Sequence, residues 1–398
     1  MKEIIKIDVD LTLMSLSFRV KEKFKTVFGE SEPLVVRSPG RVNLIGEHTD
    51  YNNGFVLPAA IDKAIHMAVS PRSDREIHLV SLDLGSDYRG SIDKLEPSPC
   101  HWPDYLLGVV QQLQRAGHSP GGFNCVFGGD IPLGAGMSSS AALECSTAFA
   151  LNELFGLNLD RLSMVQLSQK AENSFVGVQC GIMDQFASMF GRRNHVIRLD
   201  CQSLDYTYFP FNMDGICIVL LDSNVKHSLA SSEYNTRRQQ CEAGVRLVQV
   251  HCPGAKSLRD VNLEMLDKYV APASELIYRR CRYVIEENAR LLAGTEDLER
   301  GDLEAFGKKM FATHEGLSRQ YEVSCEELDF LVRQVEADPA VIGARMMGGG
   351  FGGCTINLVK EEAIDALVDR ITPVYRSAMK KDLKVYIGRI ENGTSLAE

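Results

Sequence analysis

Residues 40–51 read GRVNLIGEHTDY, a run that gathers charged and polar side chains beside two glycines. Val35 and Val36 precede the run and residues 55–57 follow it, and both flanks have the apolar composition of buried strands. Strands on both sides hold the polar groups in rigid backbone. The stretch therefore predicts a site for a polyhydroxylated ligand. Its polar members are Arg41, Asn43, Glu47, His48, Asp50 and Tyr51.

The composition indicates a globular protein that acts on small molecules. A chain of 398 residues with 44% hydrophobic content can bury a large core, and its length favours two domains. The formal net charge of -10 and the pI near 5.5 argue against nucleic acid as a partner, because such binding needs a basic face.

The chain shows no pattern of export or of membrane insertion. Residues 1–28 mix acidic and basic side chains and lack the apolar core of a signal peptide, and no apolar run is long enough to span a bilayer. The 11 cysteines are scattered from Cys100 to Cys354 without a CxxC pair, which favours reduced, mostly buried thiols over disulfides or a zinc site. We therefore expect a cytoplasmic protein with no membrane partner.

Hydrophobic periodicity predicts mixed helices and strands in both halves of the chain, with a domain boundary near residue 210. The expected domains are residues 1–210 and 211–398, each of α+β composition. Predicted strands cover 34–37, 55–59, 64–70, 77–81, 123–127, 195–199, 216–221 and 354–358. Predicted helices cover 15–28, 102–116, 138–155, 160–175, 184–190, 232–250, 275–292 and 303–321.

Residues 128–142 read GGDIPLGAGMSSSAA, a glycine-rich turn that leads three serines into a helix. Gly134 and Gly136 allow backbone amides to approach a ligand, and the helix N-terminus attracts negative charge. A serine-capped helix after an ordinary turn is the structural alternative, but the length and composition of the run favour phosphate binding. Neither a Walker lysine nor the dinucleotide spacing is present, so another family of phosphate loops is required.

These two stretches together resemble the signatures of the GHMP kinase family. Residues 40–51 are similar, almost letter for letter, to the sugar signature of its galactose-phosphorylating branch. Residues 171–186 (AENSFVGVQCGIMDQF) and 346–354 (MMGGGFGGC) resemble two further family motifs. The resemblance covers nearly the whole chain, and it implies an α+β, two-domain GHMP kinase fold with the active site in the interdomain cleft.

The resemblance also implies roles for the reacting and metal-binding groups. Asp184 would act as catalytic base or orienting carboxylate for the sugar hydroxyl, and Arg41 would stabilise the transferring phosphate. Glu172 and Ser140 would bind Mg²⁺, which prefers hard oxygen ligands, with Ser139 as the alternative serine. Without the motifs, Asp184 would be interpreted as a helix-start carboxylate and Arg41 as a surface ion pair.

The resemblance assigns the remaining site residues to the two substrates. The sugar-binding set is Glu47, His48, Thr49, Asp50, Gly181 and Tyr234. The ATP-binding set is Ser81, Trp102, Gly134, Ala135, Gly136, Met137, Ser138, Ser139 and Ser140, with Tyr105 as a further aromatic near the adenine. Packing is the alternative for Tyr105 and Tyr234, and a structural hydrogen bond is the alternative for His48.

The implied reaction is ATP- and Mg²⁺-dependent phosphorylation of D-galactose at its anomeric hydroxyl, the first step of galactose catabolism. A sugar-1-kinase for N-acetylgalactosamine or L-arabinose is the first alternative. A non-catalytic sensor of galactose and ATP is the second, but such relatives lack a Ser-Ala dipeptide in the phosphate loop, and residues 138–142 here read SSSAA. No coiled-coil repeat is visible, so we expect a monomer.

Overall fold

The computed structural model describes residues 15–29, 32–132, 134–211, 214–225 and 230–397. Its strands are β1 (Leu34–Asn43), β2 (Phe55–Val56), β3 (Pro58–Pro71), β4 (Glu76–Ser81), β5 (Ser86–Ser91), β6 (Phe123–Gly129), β7 (His195–Asp200), β8 (Tyr206–Pro210), β9 (Ile216–Asp222), β10 (Val341–Met346), β11 (Cys354–Lys360), β12 (Lys384–Gly388) and β13 (Ser395–Leu396). Its helices are α1 (Leu16–Phe28), α2 (Asp104–Arg115), α3 (Ser139–Phe155), α4 (Arg161–Ala171), α5 (Met183–Phe190), α6 (Ala230–Gln249), α7 (Leu263–Tyr269), α8 (Glu275–Glu299), α9 (Leu303–Glu315), α10 (Glu326–Val335) and α11 (Ile364–Met379).

The first half is built on a six-stranded sheet in the order β13-β1-β3-β6-β4-β5. The pairings are antiparallel except for the parallel pair β4 and β6. Helices α3 and α5 pack on β1 and β3, while α1 contacts β3 and β6. On the α1 side, Val20 and Phe24 are completely buried in a small cluster with Val35 and Val126. The sheet therefore carries helices on both faces and holds β1, with Arg41, in the core.

The second half contains an antiparallel sheet in the order β10-β11-β9-β12. Helices α10 and α11 cover this sheet, and Leu367, Ile371 and Tyr375 repeat at four-residue spacing along the buried face of α11. A small third sheet, β2-β7-β8, joins the segment after the signature to the end of the first half. The whole is the α+β arrangement that the sequence predicts.

The last strand of the chain belongs to the first sheet and not to the second half. β13 pairs antiparallel with β1, and Ile390 forms a bridge with Ile61. The expectation that residues 211–398 form one domain is therefore wrong for these final residues. The pairing covers the backbone edge of β1, which would otherwise be exposed.

The periodicity predicts most of the elements correctly and fails in identifiable places. The two strands expected within 55–70 become the short β2 and one long β3, because the chain continues through residues 60–63 as a strand. The predicted helices at 160–175 and 303–321 each end in a π-helical turn, Glu172–Val176 and Gly316–Tyr321. Elements that the sequence did not predict are β5, β8, β10, β12, β13, α7, α10 and α11.

The closest approach between α9 and β10 generates a prediction about stability. A Cβ added to Gly307 would overlap the carbonyl group of Ile342, and a Cβ on Gly343 would lie 2.6 Å from the Cα of Gly307. Gly307→Ala should therefore lower the free energy of unfolding by about 1–3 kcal/mol, although alanine favours helix. Gly254→Ala is the matched control, because no atom lies within 4 Å of its added Cβ. Equal unfolding midpoints in urea for the two variants would contradict this packing.

Candidate active site

A cavity of about 530 Å³ brings together residues that are far apart in the sequence. Its walls come from the signature segment, the segment that joins α4 to α5, helix α6 and the glycine-rich turn after β10. Every predicted catalytic and sugar-binding residue except Thr49 lines it. The predicted residues that line it are Arg41, Glu47, His48, Asp50, Glu172, Gly181, Asp184 and Tyr234.

Arg41 and Asp184 form a bidentate ion pair in the cavity wall. Arg41 is 5% exposed on β1, and Asp184 lies in the first turn of α5. The Nε–Oδ1 distance is 2.7 Å and the Nη2–Oδ2 distance is 2.8 Å. Burial alone would lower the pKa of Arg41, but the charge and hydrogen bonds of Asp184, together with the charges of Glu47 and Asp50, outweigh burial, and the pKa is raised. The arginine therefore stays charged beside an oriented carboxylate.

The phosphate loop is fixed to the same arginine. The backbone N–H of Arg41 donates to the carbonyl of Met137 at 3.1 Å, and its guanidinium donates to the carbonyl of Gly136. Gly134 and Gly136 adopt φ of +77° and +76°, conformations that favour glycine. The side chains of Ala135 and Met137 are buried in the core, so only their backbone can face a ligand.

Ser138 occupies a position that differs from the two serines after it. It is the N-cap residue of α3 with φ of +55°, and its side chain makes no capping hydrogen bond. Its hydroxyl instead donates to Oδ2 of Asp184 at 2.5 Å. Ser139 and Ser140 begin the helix and line a second cavity. The geometry thus links Ser138 to the carboxylate of the reaction site, although the sequence analysis assigned it to ATP.

Glu172 belongs to a buried carboxylate cluster at the edge of the cleft. The amide of Gln185 donates to Glu172 at 2.7 Å and to Glu144 at 3.0 Å. The nearby Ser140 side chain acts to lower the pKa of Glu172, against the effect of burial. Burial, followed by the charge of Asp184, raises the pKa of Glu172, and burial followed by Glu172 raises that of Glu144. Such a cluster has an excess of negative charge and is stabilised by a cation.

The donor set fits Mg²⁺, which takes one or two protein oxygens and completes its shell with phosphate and water. A carboxylate and a hydroxyl, from Glu172 and Ser140, lie together beside the phosphate loop. Across the described part of the chain, no group of three or more His, Cys, Asp or Glu side chains is arranged to hold a metal ion.

His48 and Asp50 present polar atoms to the cavity under unusual electrostatic conditions. Burial lowers the pKa of His48 to about 3, so its imidazole is neutral. Burial, followed by repulsion from Asp184, raises the pKa of Asp50 to about 7. A Cβ on Gly181 would overlap the carboxylate of Asp50. Glycine at 181 is therefore what gives Asp50 its place in the wall.

Glu47 lines the cavity but is also an anchor of the cleft. Its Oε2 lies 2.6 Å from Nη2 of Arg345, and its Oε1 accepts from the backbone N–H of Gly348 at 3.1 Å. Arg345 is completely buried and also donates to the carbonyls of Asn43 and Leu44. The signature segment is thus bound to the end of β10.

Thr49 lies outside the lining of the cavity, whereas Tyr234 is part of it. The Thr49 hydroxyl is buried at 2.8 Å from the carbonyl of Gly46 and 2.5 Å from that of Phe55, and Thr49 does not line the cavity. Its place is structural, whereas the sequence analysis assigned it to the sugar. Tyr234 lies on α6 with its ring 5.4 Å from the ring of His48, in the cavity wall.

A second cavity of about 390 Å³ opens at the start of α3. Ser81, Trp102 and Tyr105 line it together with Ser139 and Ser140, and the ring of Trp102 packs 5.5 Å from that of Phe127. Aromatic walls suit a purine, and the helix N-terminus suits its phosphates. Ser140 lines this cavity and acts on Glu172, which lines the first cavity, so the two sites are neighbours at the first turn of α3.

Sequence reasoning missed several residues that shape the site. Gln185 bridges two carboxylates, Arg345 anchors Glu47, and Tyr321 lies behind His48 with its hydroxyl bonded to that of Tyr51. Arg345 had a readable signal, because an arginine inside the apolar strand sequence VIGARM needs a buried partner. Tyr321 had none, since its partners are remote in sequence.

The fold and the site together define a small-molecule kinase of the GHMP class. Three family models agree: "Galactokinase galactose-binding signature" matches residues 22–71, "GHMP kinases N terminal domain" matches 104–192, and "GHMP kinases C terminal" matches 295–376.

Comparison with similar proteins shows which branch of the GHMP kinases this chain resembles. The chain is 41% identical to a galactokinase of Roseiflexus sp. (strain RS-1) over 94% of this chain and 95% of the relative. It is 40% identical to one of Clostridium acetobutylicum over 96% and 99%. The crystal structure of Lactococcus lactis galactokinase complexed with galactose superposes with a TM-score of 0.92 at 35% identity, covering 96% of this chain and 100% of that one. The chain belongs to the galactokinase family.

Two further findings concern the chain as a whole. All eleven cysteines are free thiols, as the sequence predicts. Among the helices that the structure describes, none combines the length and the apolar character that crossing a membrane requires.

The raised pKa of Asp50 gives a prediction about pH and stability. In the unfolded chain this carboxyl ionises near pH 3.8, whereas the folded protein retains its proton up to about pH 7. The folded state binds more protons between these values, so this group lowers the free energy of unfolding as pH rises from about 4 to 7. Asp50→Asn should therefore stabilise the ligand-free protein by about 1–2 kcal/mol at pH 8.5 and by much less at pH 5.

Urea denaturation at both pH values measures the effect. The control is Asp205→Asn, an exposed aspartate, whose stability should follow the parent at each pH. An Asp50→Asn gain that is the same at pH 5 and pH 8.5 would show that burial does not hold the proton on this carboxyl.

Proposed function

We propose that the protein transfers the γ-phosphate of ATP to the anomeric hydroxyl of D-galactose, giving α-D-galactose 1-phosphate and ADP. The observation that carries the proposal is the ion pair of Arg41 and Asp184 in the wall of the sugar-sized cavity, next to the phosphate loop. The galactokinase solved with galactose supports this assignment by its similar fold and its 35% identity.

Asp184 and Arg41 divide the work at the reacting centre. The carboxylate of Asp184 accepts the hydrogen of the anomeric hydroxyl and aims its oxygen at the phosphorus. We assign Asp184 chiefly to orienting this hydroxyl, because both of its oxygens are held in place by the guanidinium of Arg41. Arg41 lies between this carboxylate and the loop carbonyl of Gly136, where its charge stabilises the transferring phosphoryl group.

The sugar is held by residues on the opposite wall. His48, Asp50 and Tyr234 offer hydrogen-bonding groups at the surface of the cavity, and Glu47 adds a carboxylate that its own partners keep in place. A pocket of buried polar groups rejects a sugar that leaves them unpaired. This wall therefore determines which hydroxyl reaches Asp184.

ATP is proposed to occupy the second cavity, with its adenine beside Trp102 and its phosphates at the amides that open α3. Glu172 and Ser140 would hold Mg²⁺, and we prefer Ser140 to Ser139 because Ser140 is the serine whose side chain acts on the Glu172 carboxylate. When bound, the ion neutralises phosphate charge.

We propose that the protein is a monomer and lies in the cytoplasm. One chain supplies every wall of both cavities, so a monomer suffices for the reaction. Eleven unpaired cysteines suit the reducing cytoplasm. The phosphate loop keeps the Ser-Ala dipeptide that the sensor relatives lack, which favours a catalytic protein over a non-catalytic sensor.

A panel of sugars tests the reaction. Purified protein with MgATP should phosphorylate galactose with a kcat/KM at least about tenfold above that for N-acetylgalactosamine or L-arabinose, because an altered polar group at a fitted site costs a hydrogen bond or a clash. EDTA should abolish turnover, and excess Mg²⁺ should restore it. Preference for another sugar, or binding of galactose without ADP formation, would overturn the proposal.

Substitution of Asp184 tests its role. Asp184→Asn keeps the size of the side chain but removes the ionised acceptor, so kcat should fall about 10²–10⁴-fold. The KM for ATP should change little, because the second cavity does not include this residue. Asp369→Asn, an exposed aspartate on α11, is the control and should retain full activity. Full activity in Asp184→Asn would contradict the assigned role.

A further inference from the structure

A chain of hydrogen bonds leads from the sugar cavity into the core of the second half. Nδ1 of His48 lies 2.7 Å from the hydroxyl of Tyr51, and that hydroxyl lies 2.8 Å from the hydroxyl of Tyr321. The Tyr321 hydroxyl lies 3.2 Å from Sγ of Cys241. Tyr321 and Cys241 are completely buried, and His48 is the member of the chain that lines the sugar cavity.

The second ring nitrogen of His48, Nε2, has no hydrogen-bond partner among the described residues. It is buried, although the carbonyl of Gly349 acts on the ring. His48 lines the sugar cavity, is 4% exposed and has φ of +63°, so its backbone is held in an uncommon conformation. A buried polar atom without a partner costs free energy, so a ligand in the adjoining cavity that accepts from this nitrogen would remove that cost.

The imidazole is neutral, so one of its two nitrogens carries the hydrogen. Burial, assisted by the charges of Arg237 and Arg345, lowers the pKa of His48 to about 3. A neutral imidazole has two tautomers, and the hydrogen bond at one nitrogen decides what the other nitrogen offers.

Two directions of donation along the chain are conceivable, and the surroundings favour one. If Cys241 donates to Tyr321, Tyr321 to Tyr51, and Tyr51 to Nδ1, each hydrogen meets a good oxygen or nitrogen acceptor. The reverse direction ends with a tyrosine donating to sulfur, which is a weak acceptor. This difference places the hydrogen of His48 on Nε2.

We propose that Tyr321, acting through Tyr51, is a positioning residue that fixes His48 as the Nε2–H tautomer and makes it a donor to one oxygen of the bound sugar. The sugar as ligand rests on the proposed function, but the tautomer does not. A fixed donor requires an acceptor on the substrate, so a sugar that lacks this hydroxyl leaves Nε2–H unpaired and is discriminated against.

The tautomer is measured directly on the intact, ligand-free protein. Long-range proton–nitrogen spectra of histidine-labelled protein distinguish the two tautomers, and His48→Gln identifies which of the nine histidine signals belongs to residue 48. The parent should show hydrogen on Nε2. Tyr321→Phe removes only the hydroxyl and should give a mixture of tautomers. An Nδ1–H parent, or an unchanged Tyr321→Phe spectrum, would overturn the inference.

Kinetics with galactose and the monodeoxygalactoses test the consequence. In the parent, the deoxygalactose that lacks the contacted hydroxyl should have a raised KM. In Tyr321→Phe, the KM for galactose should rise about tenfold with little change in kcat, which is the usual effect of one misdirected hydrogen bond. The ratio of the KM for that deoxysugar to the KM for galactose should become smaller than in the parent. Tyr375→Phe is the matched control. It removes an equally buried hydroxyl, which donates to the carbonyl of Ser223 at 2.7 Å and is not part of the series of hydrogen bonds that leads to His48.

The outcomes separate the two proposals. A parent that carries the Nε2–H tautomer but does not phosphorylate galactose would remove the proposed function and leave the tautomer assignment intact. A tautomer mixture in Tyr321→Phe with unchanged KM would remove the specificity role. If Tyr321→Phe does not fold, Tyr51→Phe interrupts the same chain one step nearer to His48 and should give the same two results.

Discussion

Arg345 joins the two halves of the molecule at the point where the sugar site is built. Its guanidinium is completely buried, and its partners are the carboxylate of Glu47 and the carbonyls of Asn43 and Leu44. A buried arginine is tolerable only when its donors are satisfied, so the strand β10 and the signature segment hold each other in place. Removing either partner would leave the other charge buried without compensation.

Helix α8 of the second half also holds the signature segment in place. Glu287 accepts from the backbone N–H of Gly46, Asn288 accepts from that of Phe55, and Tyr283 donates to the carbonyl of Glu47. The centre of the signature and the first residue of β2 are thereby fixed by one helix of the second half. This support allows His48 to keep its positive φ and allows polar side chains to stand in a cleft without collapsing onto one another.

The charges in the cleft are arranged for substrates and not for the stability of the free protein. Asp50, Glu172 and Glu144 all have raised pKa values, chiefly because burial disfavours their charged forms. Arg41 forms its ion pair with Asp184. A sugar that donates hydrogen bonds to these carboxyl groups, and a nucleotide that arrives with a cation, would both stabilise their charged forms. Buried acidic groups that a ligand can stabilise in this way are typical of a binding site.

Local sequence determined most of the helices and strands and the phosphate loop, because periodicity, glycine and capping residues act over a few positions. Residues 40–51 predicted a polyol site from their polarity alone, and the family resemblance assigned their roles. Tertiary structure decided what those residues meet. Arg41 pairs with a carboxylate 143 positions away and Glu47 lies beside a backbone amide 301 positions away, while Thr49 turns into the backbone. Contacts of such separation depend on how the sheets and helices pack, so a single sequence carries no local signal for them.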